Sequence, residues 1–219
     1  VLNIDYAPTG AISNEEYANG GKTVNTYDVG QMYRLINKRT TLPLGEGTKT
    51  VQNLNYTYDA VGNILSINDI SELNTRKTTN YAYDDLYRLT NAWTSHAAVG
   101  QNYVQSYSYD AIGNITYKSD VGNYSYDGST GDSYANPHAV TSVSGTVNKT
   151  FEYDKNGNVV DDTTNAYEWD YNNRIKSITQ HGIVALPNLY GYDAGGARVS
   201  VSTSGGSGSG GVTTLYPSK

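Results

Sequence analysis

The chain has 219 residues, 15 basic and 21 acidic side chains, a net charge of −6 and no cysteine. That balance leaves no basic stripe to neutralise phosphates, which argues against nucleic acid as a partner, and the missing thiols exclude a disulfide scaffold, a thiolate zinc site and a cysteine nucleophile. No apolar run approaches the ~20 residues of a membrane-spanning helix, and with one Phe, one Met and 22 Tyr any interior has to use rings whose hydroxyls still need water or a polar partner.

The opening "VLNIDYAPTG" is strand-like and shows no signal peptide, so the chain reads as a fragment or processed piece. "SNEEYANGGK" (13–22) has room for one helical turn, which its Gly pair stops, and no segment sustains a 3.6-residue period. From there the sequence repeats. Tyr/Trp-Asp pairs fall at Tyr27-Asp28, Tyr58-Asp59, Tyr83-Asp84, Tyr109-Asp110, Tyr126-Asp127, Tyr153-Asp154, Trp169-Asp170 and Tyr192-Asp193, separated by 31, 25, 26, 17, 27, 16 and 23 residues. A period this loose tolerates insertions between units, unlike a helical solenoid.

Each unit opens with two aromatic residues spaced by two: Tyr56/Tyr58, Tyr81/Tyr83, Tyr107/Tyr109, Tyr124/Tyr126, Phe151/Tyr153, Tyr167/Trp169 and Tyr190/Tyr192. That spacing puts both rings on one face of a strand. A turn follows. In "DAVGN", "DAIGN" and "DKNGN", Asp59, Asp110 and Asp154 accept backbone N–H groups, and Gly62, Gly113 or Gly157 takes a positive φ three residues later. Gly196 holds the same slot after Asp193 in "YDAGGAR". This is the chemistry of a tight hairpin with a type I turn and a left-handed residue after it. "WDYNNRI" puts Asn173 in the slot after Asp170, so Asn173→Gly is expected to be neutral or slightly stabilising. "YDDLYRL" puts Tyr87 there, so either that turn differs or it carries strain of about 1 kcal/mol or more.

The sequence therefore predicts an all-β chain: a row of hairpins, about seven or eight by the count of landmarks, side by side in a long curved or spiralling antiparallel sheet. The array is placed at 1–203. "SGGSGSGG" within 204–211 reads as a flexible loop or linker, and 212–219 as the final strand of the array.

These strings resemble a known family. "YTYDAVGNILSI", "YAYDDLYRLTNA", "YSYDAIGNITY", "FEYDKNGNVVDD" and "YGYDAGGARVSV", together with "NPHAVTSV" (136–143), are similar to the YD repeats of the Rhs/YD-repeat family. The resemblance covers nearly the whole chain. It implies a long β-strip that spirals into a hollow shell, which in toxin members holds an unfolded C-terminal toxin. In those members an aspartyl autoprotease with an Asp-Pro motif follows the repeats. No Asp-Pro dipeptide occurs here, so no catalytic residue carries over. The number of repeats fits a partial strip, a shorter tube or a filament.

Candidate sites give little chemistry. His96, His138 and His181 lie far apart without metal-ligand spacing. "DKNGNVVDD" offers many oxygens, but its Gly falls at the fourth position rather than the sixth, which fits a hairpin better than a calcium loop. No Gly-x-Ser-x-Gly elbow sits between a strand and a helix. Aromatic rows can stack on sugars, but their first use is to replace the missing aliphatic core. The reading is thus a structural, non-enzymatic segment of a secreted or cell-surface bacterial protein, without cofactor or metal. It forms the wall of a toxin-encapsulating shell or an extracellular fibre, and its partners are other parts of the shell or further copies of itself. The alternative is an adhesin module that binds carbohydrate or protein through exposed Tyr rows.

Overall fold

A computed structural model of the chain describes residues 1–71, 77–95, 102–128, 136–183, 187–203 and 211–216. His96, residues 204–210 of the expected linker and 217–219 of the expected last strand lie outside the described residues. The chain divides into two compact units, Val1–Tyr107 and Ser108–Lys219.

Unit 1 is an antiparallel meander of β1 (Asn3–Tyr6), β2 (Ile12–Glu16), β3 (Lys22–Asp28), β4 (Arg34–Leu44), β5 (Gly47–Tyr58), β6 (Ile64–Asp69), β7 (Lys77–Tyr83), β8 (Leu89–Ser95) and β9 (Val104–Tyr109), whose last residues enter unit 2. Unit 2 contains β10 (Ile115–Lys118), β11 (Gly122–Ser125), β12 (Ser142–Gly145) and β13 (Lys149–Thr150), paired in sequence order, followed by β14 (Glu152–Tyr153), β15 (Val159–Asp161), β16 (Asn165–Trp169), β17 (Ile175–Gln180), β18 (Asn188–Tyr192), β19 (Arg198–Thr203) and β20 (Val212–Leu215). The helical content of the described residues is one 3-10 turn, Val29–Gln31. The stretch 13–22, where the sequence leaves room for a helical turn that its Gly pair stops, is strand β2, a tight turn and the start of β3.

The strands form because apolar or aromatic side chains alternate with polar ones. In β5, Tyr56 and Tyr58 lie half-buried on one face while Thr57 between them is exposed. The opposite face of unit 1 carries a polar ladder. Asn37 donates to Asn53 Oδ1 at 2.8 Å and Asn55 Oδ1 at 2.9 Å, Thr57 meets Ser66 at 2.7 Å, and Asn80 donates to Ser95 at 3.1 Å. No conventional apolar core results. Among the described residues the buried hydrophobic side chains are Ala92 and Val143, and the other buried ones are small or polar: Thr23, Thr50, Ser71, Thr79, Asn114, Asp162 and Ser177.

Within unit 2 the ladder breaks between β13 and β14, and side chains bridge the break. Thr163 Oγ1 accepts from Thr150 N at 2.8 Å and donates to Thr150 O at 3.2 Å, so one hydroxyl replaces a strand neighbour. This holds Thr163 at φ 72, a conformation that a β-branched residue rarely adopts. The neighbouring Asp162 carboxylate accepts from Lys149 at 2.9 Å.

Two backbone positions make the fold directly testable. Gly122 and Gly145 are register partners on β11 and β12 with φ of 125° and 142°, and a Cβ on Gly122 would lie 2.1 Å from Ser144 O. Gly122→Ala is expected to destabilise unit 2 by about 3 kcal/mol, because backbone rather than a pliable side chain has to move. Tyr87 has φ 60. Its exchange for Gly relieves left-handed strain and loses some chain entropy, for a net gain of up to about 1 kcal/mol. Urea midpoints measure both changes, and a Gly122→Ala protein that melts like the parent contradicts the β11–β12 contact.

Candidate functional site

The repeat builds two devices from its landmark residues. The first is the turn. The backbone of Asp59 donates to Asn63 O at 3.0 Å, and Gly62 N donates back to Asp59 O at 3.3 Å. The Asp59 carboxylate then closes the loop: Oδ1 accepts from Gly62 N at 2.7 Å and Asn63 N at 2.8 Å, and Oδ2 accepts from Asn63 Nδ2 at 2.8 Å. Asp110 and Asp154 accept the same two bonds from Asn114 and Asn158, with Ile112 N and Asn156 N as further donors to Oδ1. Asp84 and Asp170 use arginine instead, accepting from Arg88 Nε at 2.8 Å and Arg174 Nε at 2.7 Å. Asp193 accepts from Ala197 N at 2.9 Å. The left-handed slot is filled by Gly62, Gly113, Gly157, Gly196, Asn173 and Tyr87, all with positive φ. The Tyr87 turn therefore has the same geometry as the others, with Tyr87 N donating to Asp84 O at 2.9 Å.

The second device is the hydroxyl of the second aromatic residue. Tyr27 donates to Ile12 O at 2.9 Å, Tyr58 to Leu35 O at 2.7 Å and Tyr83 to Ile64 O at 2.9 Å. In unit 2, Tyr126 donates to Ile115 O at 2.9 Å, Tyr153 to Val140 O at 2.7 Å, Trp169 Nε1 to Val159 O at 2.8 Å and Tyr192 to Ile175 O at 2.9 Å. The register explains the pattern. Between hairpins the ladder stops at Asn14↔Val24, Asn37↔Asn55, Ser66↔Asn80, Tyr117↔Asn123, Ser142↔Thr150, Asp161↔Ala166 and Ser177↔Leu189. In every case the accepting carbonyl lies two residues before the first member of that final pair and the aromatic donor three residues after the second. The side chain thus reaches a carbonyl just past the end of the ladder, where the twisting strands have separated.

The stitches connect. Tyr58 is paired across its own hairpin with Ile64, whose carbonyl receives Tyr83, while the Tyr58 hydroxyl goes to Leu35, the partner of Tyr27. The line in unit 1 ends at Tyr6, paired with Ile12. The first aromatics, Tyr56, Tyr81, Tyr107 and Tyr190, are half-buried beside them, as is Tyr109. Tyr107 donates to Gln105 Oε1 at 2.7 Å.

Sequence reasoning missed four features of this arrangement. The residue four positions after each Asp (Asn63, Asn114, Asn158, Arg88, Arg174) completes the turn, and the regular spacing was its signal. "YAPTGAI" is a further hairpin with Ala7 in the Asp position: Ala7 N donates to Ala11 O at 2.8 Å, and Gly10 has φ 81. The signal there was a Tyr6–Gly10–Ile12 spacing equal to Tyr58–Gly62–Ile64. Tyr126-Asp127 departs from the other landmarks in that Asp127 N donates to Thr141 Oγ1. Asn173 does more than tolerate its slot. Its Oδ1 accepts from Asn156 at 3.1 Å and Asn158 at 2.9 Å, so Asn173→Gly removes a link between neighbouring turns, a loss that opposes the relief of its positive φ.

His138 and His181 also serve the sheet. His138 Nδ1 meets Asn114 Oδ1 at 2.7 Å, and Asn114 Nδ2 donates to Pro137 O at 2.8 Å, which pins "NPHAV" to the 110–114 turn. His181 Nε2 lies 2.6 Å from Asp161 Oδ2. No group of three or more His, Cys, Asp or Glu able to hold a metal occurs among the described residues.

Five of the turn carboxylates titrate low. At Asp59, Asp110, Asp154 and Asp170 burial pulls the pKa up, but the convergent N–H donors outweigh it and the net shift is downward. At Asp84 the Arg88 backbone N–H leads the downward shift. At Asp162 burial is again outweighed, first by Lys149, and the pKa falls to about 2. Tyr58, Tyr83, Tyr126 and Tyr153 are pushed up, chiefly by burial.

These hairpins define an all-antiparallel repeat protein, and the comparisons with known proteins point the same way. No family model matches the sequence. The chain is 29% identical over 239 aligned residues, 91% of its length, to the toxin subunit YenC1 of Yersinia entomophaga, and 35% identical over 144 residues, 51% of its length, to the toxin subunit YenC2 of the same organism. It spans 24% and 14% of those two proteins. Among solved structures, the Tc holotoxin pore of Photorhabdus luminescens superposes with a TM-score of 0.65 at 22% identity, covering 97% of this chain and 11% of that one. The TcdB2-TccC3 crystal structure gives 0.65 at 21%, covering 98% of this chain and 12% of that one. The superpositions establish a shared fold.

Two outcomes test the site. Tyr58→Phe leaves Leu35 O without its donor and is expected to cost about 1 kcal/mol, whereas Tyr56→Phe, for which no hydroxyl bond is present, stays within about 0.5 kcal/mol. Equal costs would contradict the stitch. For pH, carboxylates held below their unfolded value near 3.9 contribute stability above that value and lose it as pH falls through the folded pKa. Tyrosines held above 10 contribute stability below pH 10 and lose it as pH rises through the folded pKa. The urea midpoint is therefore expected to be flat through neutral pH, to drop from about pH 4 towards 2, and to drop again above about pH 10. A fall already present between about pH 5 and 7 would contradict the assignment.

Proposed function

We propose that this chain is wall material: a non-enzymatic stretch of a YD-repeat array that forms part of the shell of a secreted bacterial toxin complex. The array takes in 1–203 and, beyond the Gly/Ser-rich stretch, β20 (Val212–Leu215). The observation that carries the reading is the match of 91% of the chain to a toxin subunit about four times its length. A segment of a large protein that consists of hairpins throughout serves to enclose or to span. The internal chemistry supports this. Landmark carboxylates are capped by their own turns, and the hydroxyls of the second aromatics are committed to carbonyls, so neither is available to attack a substrate or to bind a sugar. The half-burial of the paired rings Tyr56/Tyr58, Tyr107/Tyr109 and Tyr190/Tyr192 weakens the reading as a glycan-binding adhesin, which needs exposed ring faces. By the same reading the array works outside the cell that makes it, and its partners are neighbouring parts of the shell.

The test is electron microscopy of the natural protein that carries this chain, combined with tyrosine nitration. A closed hollow particle, with Tyr56, Tyr58, Tyr107, Tyr109, Tyr190 and Tyr192 modified slowly, supports the shell wall. An extended fibre points to the other structural reading. Rapid nitration of most of these six rings in the intact particle, together with binding to a glycan array, would instead select the adhesin.

A further inference from the structure

We propose that the open edge of β1 receives a strand of the same repeat type from a longer protein that contains this chain, and that the Tyr6 hydroxyl donates to a backbone carbonyl of that strand. The inference rests on the reading of the chain as a stretch of a longer array, and it adds which residue makes the joint and what that residue meets. Tyr6 is paired across its hairpin with Ile12, as Tyr27 is with Leu35, Tyr58 with Ile64 and Tyr83 with Leu89. It therefore stands in the stitching position. Yet its hydroxyl makes no hydrogen bond among the described residues, and its ring is 61% exposed where Tyr27, Tyr58 and Tyr83 are half-buried. The contrast repeats four residues earlier. Leu2 is 73% exposed, whereas Thr23 and Thr79 are buried and Leu54 is half-buried. Those three residues have a paired strand on each side. β1 is bonded to β2 alone, and its free backbone groups form a template for pairing.

The stitch geometry selects the occupant. Each donor reaches back to the antiparallel strand that precedes its own, and every accepting residue is Ile, Leu or Val. Ile12 O takes the Tyr27 hydroxyl, so the first hairpin already receives a stitch, and Tyr6 is its means of sending one. The donor lies three residues after the last ladder residue, which ends the ladder onto β1 at Asn3. The acceptor is then the carbonyl of an aliphatic residue two positions before the partner of Asn3. A second copy of this chain does not offer that carbonyl. Its other outer strand, β20, is bonded to β19 as far as Leu215, with Tyr216 next. Asn55 and Tyr56 hold those places in β5, a strand that sends a stitch back. The open edge of β20 thus corresponds to the edge that β5 gives to β6 within its own hairpin, not to the edge that receives a stitch. The strand one step earlier in the same array has the required role, and the matched toxin subunit YenC1, of which this chain spans 24%, has length for it.

The test is hydrogen exchange, read by mass spectrometry, on the natural protein that carries this chain and on the 219-residue chain alone. In the natural protein the amides of β1 are expected to exchange about tenfold or more slowly than in the chain alone. Tyr6→Phe is expected to speed them by about fivefold in the natural protein and to leave them unchanged in the chain alone, where the Tyr6 hydroxyl faces water. Equal exchange of β1 in the two proteins overturns the docking surface. Slower exchange in the natural protein that does not respond to Tyr6→Phe overturns the joint. Protection of β1 in the chain alone that rises with concentration puts a second copy on this edge and overturns the proposal too. Electron microscopy of the same natural protein keeps the two readings apart. A hollow particle with β1 unprotected sinks the joint and leaves the shell wall standing, whereas a Tyr6-dependent protection in a protein that forms no shell does the reverse.

Discussion

Successive hairpins diverge before their strands end, and each divergence exposes a backbone carbonyl that has no ladder partner. The rest of the structure depends on how that carbonyl is satisfied. Tyr27, Tyr58, Tyr83, Tyr126, Tyr153 and Tyr192 each place a phenol over the gap and donate to it, and Trp169 does so with its indole N–H. Phenylalanine would fill the same space but leave the carbonyl unpaired, at a cost of about 1–3 kcal/mol if buried. A chain with 22 Tyr and one Phe is the compositional result.

The Asp turn and the Tyr stitch then act as one unit. The turn fixes where each hairpin begins, and so fixes the position of the ring just before the Asp relative to the carbonyl of the preceding hairpin. One residue of slip would move the ring to the other face of the sheet. The turns at Asp59, Asp84, Asp110, Asp154 and Asp170 are therefore over-determined by their carboxylates, and the residue four positions on, Asn or Arg, closes each from the side. Arg174 also lies over the Tyr192 ring at 4.8 Å, which ties a turn to the next stitch. Order in these units comes from a repeated polar contact more than from a core, which explains why so few hydrophobic side chains are buried and why insertions between landmarks are tolerated.

The all-antiparallel fold was legible in the sequence because its signals are local. A ring pair spaced by two, an Asp, and a Gly three residues later specify strand, turn and strand without reference to anything distant. Tyr87 was ambiguous because a local reading sees only the cost of positive φ. The structure resolves it through the Arg88–Asp84 pair, which holds the turn in place. The acceptors of the Tyr hydroxyls were out of reach, since they depend on where the ladder between two hairpins stops. The Asn173 link to Asn156 and Asn158 was hidden for the same reason. Tyr126-Asp127 carries the pair, but neither Gly nor Asn stands three residues beyond its Asp. "YAPTGAI" was passed over because Ala7 removed the Asp while leaving the backbone turn intact.

Isotope-edited infrared spectroscopy of single backbone carbonyls tests the stitch most directly. With ¹³C=O placed at Leu35 and, separately, at Ile64, each band reports its own hydrogen bond. Tyr58→Phe is predicted to move the Leu35 band to higher frequency and leave Ile64 in place, Tyr83→Phe to do the reverse, and Tyr56→Phe to move neither. A Leu35 band that does not respond to loss of the Tyr58 hydroxyl would contradict the account.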